Sequence, residues 1–483
     1  MDVQLLANVL WAYGTAEASC PALLAAAADH LAKLPPWRLG QHSTALANTL
    51  YAFAKLEFFD DRVFQTYTHM VEQGMASMSG MERLMVLWAY SRYWSTRGST
   101  DDLMHQRLLL SHSLLSRLVQ HIIKDIPTYK PMEVGTLAVS LCALTWYDEQ
   151  ALDLLYAQAA KLLPEMILCQ LNSLSWCLTK LGRAPPQLVT QVLEASTNAA
   201  VNTQEGKLTA SVSEISQVAW ALGLMEPTNW MAAQRLFQAL GEVPGSVILP
   251  AVATRLAQAV LSMRDALPAS QLAWMEQQPV QALVTRCMEG YLDVLQSHIT
   301  TASSATQLQV YQELKGLPGV TCAQLEATTQ DGMFYIDVAL VFRGRHVAVE
   351  VDGPLHFMLN RQGLATGDTL WRRRRLFQRG YAVLPLRASE FTDLGSSTAR
   401  EMLLLELLEL AVDNPERLAA REKTIGNALR PEDHNVVRSK PGIHAVRVAR
   451  VAGTLRVRGQ PPGQALRTQY GEMRGAAGTL TVD

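Results

Sequence analysis

A short helical segment recurs through the first half of the chain, and this repetition is the strongest constraint on the fold. Leu6 to Tyr13 (LANVLWAY) returns as Leu46 to Phe53 (LANTLYAF), with the aromatic anchors 40 residues apart. An internal period near forty residues with variable insertions is typical of helical-repeat proteins. The sequence therefore predicts an α-helical repeat solenoid over residues 1–300. Successive anchors are spaced by 40, 37, 54, 34 and 44 residues: Trp11, Tyr51, Trp88, Cys142, Trp176 and Trp220.

Each copy is predicted to be one helix of a pair. Leu6, Leu10 and Tyr13 recur at helical spacing, and small alanines beside the aromatic residue allow neighbouring helices to approach. Second helices are predicted between the anchors, for example over 22–34 and 188–195. One pair cannot bury its apolar face alone, so the pairs are expected to stack. The tryptophan anchors are therefore expected in the core, and not as platforms on which nucleic-acid bases stack.

Polar residues within these helices are weak candidates for base contacts. Helical-repeat proteins can read one RNA base per unit with two or three polar side chains. Asn8, Asn48, Asn172 and Gln217 lie inside the apolar helices, however, where such side chains more often bond to a neighbouring backbone. We therefore predict backbone partners for them.

A second feature is a predicted β-hairpin that carries acids inside its strands. Two apolar runs flank Arg343-Gly344-Arg345, between Phe334 and Phe357. Glu350 and Asp352 are two residues apart and must share a face. Asp337 lies opposite Glu350 if Arg343-Gly344 is the loop, and opposite Asp352 if Gly344-Arg345 is the loop. Three carboxylates on one face require a divalent metal ion or an arginine fork, unless they face water.

The basic residues are local to the same part of the chain. The net charge of the whole chain is -2, which argues against phosphate binding over the entire surface. Residues 333–394 carry nine arginines and six acids, and four of these arginines are consecutive, from Arg372 to Arg375. They fall on a predicted helix that begins near Asp368 and ends before Gly380. This run is a candidate phosphate-binding surface, or otherwise a solvated helix face.

Several fixed spacings in this region together resemble the RAP domain, a C-terminal module of organellar RNA-binding proteins related to the FAST-kinase-domain proteins. The matching residues are Ile336-Asp337, Val349-Glu350-Val351-Asp352-Gly353-Pro354, His356-Phe357, Thr366-Gly367-Asp368-Thr369-Leu370, Arg372-Arg373 and Gly380-Tyr381. The resemblance implies a small α/β domain with a restriction-endonuclease-like core over 303–395. The preceding repeats are similar to octotricopeptide repeats. Nuclease cores of this fold usually carry Glu-x-Lys, whereas Asp352 stands here at the third position.

The resemblance implies an organellar RNA-binding factor that acts in RNA processing, stability, ribosomal-RNA maturation, splicing or translation. Its expected partners are single-stranded organellar RNA and other RNA-processing proteins, and its expected location is the mitochondrion or the chloroplast. In this interpretation Arg372, Arg373, Arg374 and Arg375 contact RNA phosphates. Glu350 and Asp352 then fix the hairpin, and no cofactor is needed.

Two alternatives remain open from the sequence. In the first, the module is a metal-dependent RNA endonuclease: Asp337, Glu350 and Asp352 hold Mg²⁺, and His356 acts as general acid or base. These four residues are then the candidate catalytic residues. In the second, the chain is a protein-interaction scaffold, because helical solenoids often bind proteins.

The remaining sequence features concern boundaries and compartment. A small polar linker at residues 300–304 is the predicted domain boundary, a C-terminal helix is expected over 396–412, and a disordered tail over 413–483, which has twelve Lys or Arg against seven acids. Six scattered cysteines without a C-x-x-C pair indicate a reducing compartment. No run of about 18 apolar residues predicts a membrane helix. The first residues already fall within a repeat, so we expect the natural protein to begin upstream, leader included; a longer reading frame would test this.

Overall fold

The computed structural model describes residues 2–34, 43–96, 101–182, 184–201, 210–243, 248–299 and 303–428. Within these residues the chain is mostly helical, and a small mixed sheet lies in the C-terminal part. The helices before the sheet are α1 Val3–Thr15, α2 Pro21–Leu31, α3 Ser43–Lys55, α4 Asp61–Gly74, α5 Gly80–Thr96, α6 Asp101–Ile122, α7 Pro131–Ala143, α8 Glu149–Leu162, α9 Leu168–Leu181, α10 Pro186–Ala200, α11 Val212–Met225, α12 Trp230–Gly241, α13 Pro250–Ala266, α14 Ala269–Leu272, α15 Val280–Ile299 and α16 Ala305–Gly316.

Alternate helices of the N-terminal part pack against one another in series. The six helices that carry the repeated anchors, α1, α3, α5, α7, α9 and α11, each contact the next, and the series continues through α13 to α15. The intervening helices form a second layer, in which α4 contacts α6 and α10 contacts α12. Two apolar cores fill the space between the layers. Each helix of the series thus packs against the next one.

Small residues and aromatic rings set the spacing along this series. The Trp11 and Tyr51 rings lie 5.0 Å apart and those of Tyr51 and Trp88 4.9 Å apart. A side chain on Gly14 would lie only 3.1 Å from the Cα of Ala52. Tyr51, Trp88 and Trp220 are buried as predicted, whereas Trp11 and Trp176 are half-buried. The anchors are therefore packing residues, and two of them keep one edge at the surface.

The C-terminal sheet has the strand order β1-β2-β3-β6. Strands β1 to β3 are antiparallel, and β6 pairs in parallel with β3, so that a helix must connect them. A separate small hairpin, which the sequence did not predict, is formed by β4 and β5. The bounds are β1 Val320–Thr328, β2 Tyr335–Phe342, β3 Arg345–Asp352, β4 Phe357–Met358, β5 Arg361–Ala365 and β6 Ala382–Arg387, with helices α17 Gly367–Gln378, α18 Ala388–Thr392, α19 Ser397–Asp413 and α20 Pro415–Ala428.

The turn between β2 and β3 decides the register of the acidic hairpin. Phe342 pairs with Arg345, so Arg343-Gly344 is the two-residue loop. Both loop residues have positive φ, 49° and 77°, which a tight hairpin turn of this type requires. This register continues to Asp337 opposite Glu350, the first of the two predicted arrangements.

Helices cover both faces of the sheet. Val347 and Val349 pack on one face against α16 and α19, whereas Ala348 packs on the other face against α17. Because side chains alternate along β3, Glu350 and Asp352 share the face of Ala348 and point toward α17. Helix α17 is therefore the element that faces the three acids.

Helix α17 also contacts the N-terminal helices, so that it is packed between the sheet and the helical array. The indole Nε1 of Trp371 donates a 2.7 Å hydrogen bond to the Ser262 hydroxyl of α13. A mixed apolar cluster, here called the junction cluster, joins the two parts. It contains Trp220, Leu224, Ala257, Leu261, Tyr291, Phe334, Ile336, Ala348, Trp371 and Leu376.

The β4–β5 hairpin makes a second contact between the two parts. The Asn360 side chain bonds to both backbone groups of Tyr147, accepting at 2.8 Å and donating at 2.9 Å. The backbone N–H of Leu359 donates to the Thr145 carbonyl at 2.9 Å. The module predicted over 303–395 is thus in contact with the helices that precede the linker at residues 300–304.

Gly367, the first residue of α17, allows a close approach to α9. A Cβ atom built on Gly367 would overlap the backbone carbonyl oxygen of Thr179. We therefore expect Gly367→Ala to reduce the free energy of unfolding by about 1–3 kcal/mol, because α17 would have to move away from α9. Urea unfolding followed by circular dichroism would measure this change.

The matched control for this substitution is Gly316→Ala. A Cβ at Gly316 would meet no atom within 4 Å. The control should leave stability unchanged or slightly raised. Equal urea midpoints for the two variants would contradict the close-approach explanation.

The boundary of the predicted disordered tail needs correction. Pro415–Ala428 is helix α20, and its Leu418 is buried in the core formed with α19. Residues 413–483 as a whole are rich in glycine, proline and arginine, and this overall composition gave no indication of the short helix. The rest of that tail, from residue 429, lies outside the described residues, as do residues 300–302 of the linker. The helix predicted over 396–412 corresponds to α19, Ser397–Asp413.

In the described ranges, none of the helices is both long enough and apolar enough to cross a membrane.

Candidate functional site

The three predicted carboxylates lie together on the α17 face of the sheet. Asp337, Glu350 and Asp352 are all buried. Burial favours the uncharged form of a carboxyl group and raises the pKa of Asp337 and of Glu350. Such a cluster needs positive charge or hydrogen-bond donors close by.

Arginines from α17 supply that charge. Arg372 Nη2 lies 2.8 Å from Glu350 Oε2, and Arg373 Nη2 lies 2.6 Å from Asp352 Oδ2. The remaining acid, Asp337, accepts a 2.7 Å hydrogen bond from the backbone N–H of Val351. Of the three arrangements considered from the sequence, the arginine fork is the one in the structure.

His356 lies at the edge of the same cluster. Its Nδ1 is 3.2 Å from Asp352 Oδ1 and 3.3 Å from the Thr369 hydroxyl. The histidine side chain is 41% exposed, whereas its aspartate partner is buried. A buried carboxylate next to an accessible imidazole holds the ring in one orientation.

Helix α20 closes the other side of the cluster with an acid of its own. Glu422 Oε1 lies 3.2 Å from Arg373 Nη1, so that Arg373 bridges Asp352 and Glu422. Arg387, at the end of β6, donates a 2.9 Å hydrogen bond to the Glu422 carbonyl and lies over the Phe357 ring, 4.9 Å from its centroid. These contacts explain why the chain beyond Asp413 is ordered here.

Glu350 has the most strongly perturbed ionisation of the cluster. Burial, together with the nearby Asp337 and Asp352, outweighs Arg372 and raises the pKa of Glu350 to about 8. Among the described residues, its Oε1 has no hydrogen-bond partner. The carboxyl group therefore holds its proton in the folded chain at a pH where it would be ionised in the unfolded chain.

This perturbed pKa predicts a pH-dependent stability. Between the ordinary value of 4.5 and about pH 8, only the folded chain keeps the Glu350 proton, so the free energy of unfolding falls as pH rises through this window. The slope from one such group is at most about 1.4 kcal/mol per pH unit. We expect Glu350→Gln to flatten this fall, measured by urea unfolding from pH 5 to 8.5. The exposed Glu416→Gln is the control, and a profile for Glu350→Gln that is parallel to that of the unmodified protein would contradict the prediction.

The structure shows how the residues predicted to hold Mg²⁺ are engaged. In the part of the chain that the structure describes, no group of three or more His, Cys, Asp or Glu side chains could hold a metal ion. One oxygen of Glu350, one of Asp337 and both of Asp352 are bonded to Arg372, Arg373, His356 or the Val351 backbone, whereas Glu350 Oε1 has no hydrogen-bond partner among the described residues. Two of the three acids, Glu350 and Asp352, are thus partners of arginines in this structure.

The four consecutive arginines do not share one surface. Arg372 and Arg373 face the acids, and Arg375 is buried against Asp265 of α13, with Nη1 3.2 Å from Oδ2. Arg379 binds the same Asp265 oxygen at 2.9 Å. Arg374 is the exposed member of the run. Three of the four arginines predicted to contact phosphate thus bind carboxyl groups inside the molecule, and Arg374 alone of the four faces outward.

Arg374 lies in an open groove of about 1250 Å³ between the two parts of the molecule. One wall is α17, from Gly367 to Gln378. The other wall comes from the ends of α9 and α11 and the start of α10, and the first residues of β3 and β6 close one end. The groove is larger than most small-molecule sites, which measure roughly 300–1,000 Å³.

No protein-family model matches this chain. The search among curated proteins found no match either.

The sequence predicted backbone hydrogen bonds for Asn8, Asn48, Asn172 and Gln217. The structure shows them for Asn172 and Gln217. Asn172 Nδ2 donates to the Glu214 carbonyl, and Gln217 Nε2 donates to the Asn172 carbonyl, both at 3.3 Å. Asn8 is exposed and accepts a hydrogen bond from Gln4. These bonds join α9 to α11 and take Asn172 and Gln217 out of the set of base-reading candidates.

Sequence reasoning missed several residues of this region. Asp265 and Glu422 are the carboxylate partners of Arg375 and Arg373, yet each lies far from them in sequence. Phe377 is 67% exposed in the groove. In the sequence, Leu370, Arg374 and Phe377 are spaced by four and three residues, which places them on one side of a helix and could have indicated this surface.

Proposed function

We propose that this protein is an organellar RNA-binding factor, with a helical-repeat solenoid that selects a transcript and a C-terminal RAP module with a restriction-endonuclease-like core that holds it. One observation carries the proposal. The residues on which the resemblance to the RAP domain rests lie together in one α/β module, and that module is docked on a series of packed helix pairs. The same combination of repeats and terminal module is what the resemblance implies.

The arginine and backbone contacts of the acidic cluster favour binding over cleavage. Asp337, Glu350 and Asp352 are occupied by arginines and backbone, which is a structural role. The positive charge available for phosphate then comes from exposed groups such as Arg374. Binding is therefore expected to occur without a metal ion.

The test is binding of labelled single-stranded organellar RNA to the full chain, measured by filter binding with magnesium and with EDTA. We expect salt-dependent binding in both conditions, because phosphate contacts release counterions. Duplex RNA of the same length is the comparison, and it should bind more weakly. Failure of the full chain to bind any single-stranded RNA would overturn the proposal and leave the protein scaffold as the better interpretation.

A second candidate is RNA cleavage, and the pair formed by His356 and Asp352 favours it. An accessible imidazole oriented by a buried carboxylate is a suitable general acid or base. If the module cleaves RNA, His356→Ala should abolish product formation and retain binding. His69→Ala, which changes an exposed histidine on α4, outside the module and the groove, is the matched control. Intact RNA after incubation with the unmodified protein, with or without magnesium, would exclude this candidate.

A further inference from the structure

On the α17 wall of the groove between α17 and the N-terminal helices, two exposed apolar side chains flank an arginine. Leu370, Arg374 and Phe377 are spaced by four and three residues and so form one stripe on α17. Leu370 is 42% exposed and Phe377 67% exposed, although the other side of the same helix is buried in the junction cluster. Leu370 and Phe377 together expose apolar surface beside a cation, and contiguous exposed apolar surface rimmed by polar groups is typical of a binding site.

The closed end of the groove adds a second aromatic site and a second cation. The rings of His346 and Tyr381 meet edge to face, with centroids 6.1 Å apart. Arg345, beside them, is exposed. Both rings and Arg345 line the same groove as Phe377. Aromatic groups of α17 and of the strand ends thus line the same groove.

The charge of the groove favours an anion. Three arginines line it, Arg345, Arg373 and Arg374, against the two glutamates Glu226 and Glu422. Glu422 is paired with Arg373, and Glu226 accepts a hydrogen bond from the Thr190 hydroxyl. Among the described residues, neither Arg345 nor Arg374 forms an ion pair with a carboxylate. Arg374 Nε donates a 3.4 Å hydrogen bond to the Leu370 carbonyl, which leaves its two terminal nitrogens for a ligand.

We propose that this groove binds a single strand of RNA, with a base stacked on Phe377 and phosphates bound by Arg374 and Arg345. The inference rests on the proposed function and adds the place and manner of contact. Exposed rings alternating with arginines match unpaired nucleotides, whose bases present a flat face between successive phosphates. In a duplex the bases are already stacked on each other, and Phe377 would have no partner. An acidic peptide would use the arginines but would leave the aromatic residues without a matching group.

The first test compares Phe377→Ala with Met402→Ala in the full chain. Both side chains are highly exposed, 67% and 69%, but Met402 lies on α19, outside the groove. Loss of one stacked base should weaken binding of a labelled oligouridine about tenfold in Phe377→Ala. Met402→Ala should bind like the unmodified protein, and both variants should keep its thermal stability.

The second test compares Arg374→Gln with Lys315→Gln. Lys315 is exposed on α16, which covers the opposite face of the sheet. Removing one phosphate contact should lower the slope of log Kd against log salt concentration by about 0.7 for Arg374→Gln and leave it unchanged for Lys315→Gln. Photo-crosslinking with 4-thiouridine RNA should label peptides that contain Phe377 or Tyr381.

The outcomes separate this inference from the proposed function. If the unmodified protein and Phe377→Ala bind oligouridine equally, and the crosslinks fall outside the groove, the groove site is overturned. RNA binding by the protein would still stand in that case. If the unmodified protein binds neither oligouridine nor organellar single-stranded RNA, both the groove site and the proposed function are overturned. Capture of an acidic peptide that depends on Arg374, without RNA binding, would replace the nucleic-acid ligand with a protein one.

Discussion

Replacing Trp371 with alanine is expected to lower the free energy of unfolding by about 3–5 kcal/mol, the range for deleting a buried aromatic side chain. The indole is only 4% exposed, lies 5.6 Å from the Phe334 ring between centroids, and belongs to the junction cluster. Its removal opens a cavity between the sheet and the helical array and leaves the Ser262 hydroxyl without its donor. Urea unfolding would measure the loss.

Two variants distinguish a loss at the junction from a general loss. Trp371→Phe keeps most of the apolar volume and removes the hydrogen bond, so it should cost about 1 kcal/mol plus a small packing term. Phe377→Ala, six residues later on the same helix, should cost little because that ring is exposed. If Trp371→Ala and Phe377→Ala unfold at the same urea concentration, α17 does not join the two parts as described.

Arg373→Met is expected to be about as damaging, with a loss of about 3–5 kcal/mol. The arginine is the common partner of Asp352 and Glu422, and its removal leaves a buried carboxylate without its cation. Most of this cost arises from the uncompensated charge of Asp352, and less of it arises from the lost attraction between Arg373 and Asp352. Thermal and urea unfolding at pH 7 would measure it.

A double variant tests this cause directly. Adding Asp352→Asn to Arg373→Met removes the orphaned charge and should recover part of the loss, a coupling that a double-mutant cycle would measure. Arg374→Met is the neighbouring control, expected near zero since that side chain is exposed. Additive effects of the two substitutions would contradict a direct interaction between Arg373 and Asp352.

Local patterns in the sequence predicted most of the C-terminal elements. The strands of the hairpin, the helix after Gly367 and the last strand all lie within a residue or two of their expected positions. Alternation along β3 was sufficient to place Glu350 and Asp352 on one face. The choice between two registers required the structure, because either Arg343-Gly344 or Gly344-Arg345 could have formed the loop.

The partners of charged residues could not be predicted in the same way. Arg375 binds Asp265, a residue of another helix about 110 positions earlier, and no local pattern indicates such a pair. A run of four arginines suggests one basic face, but a helix turns by about 100° per residue and sends consecutive side chains in different directions. The helix over residues 415–428 was not predicted for a related reason. The contacts that stabilise it are made with α19 and with Arg373, outside the segment itself.

The shared junction cluster has a consequence for synthesis of the chain. Trp220, Leu224 and Leu261 emerge from the ribosome well before Phe334 and Trp371, which cover them in the finished protein. At roughly 5–20 residues per second, the interval between Leu261 and Trp371 is on the order of ten seconds. During that time the nascent helices present an uncovered apolar surface, so we expect them to engage a chaperone until the last quarter of the chain arrives.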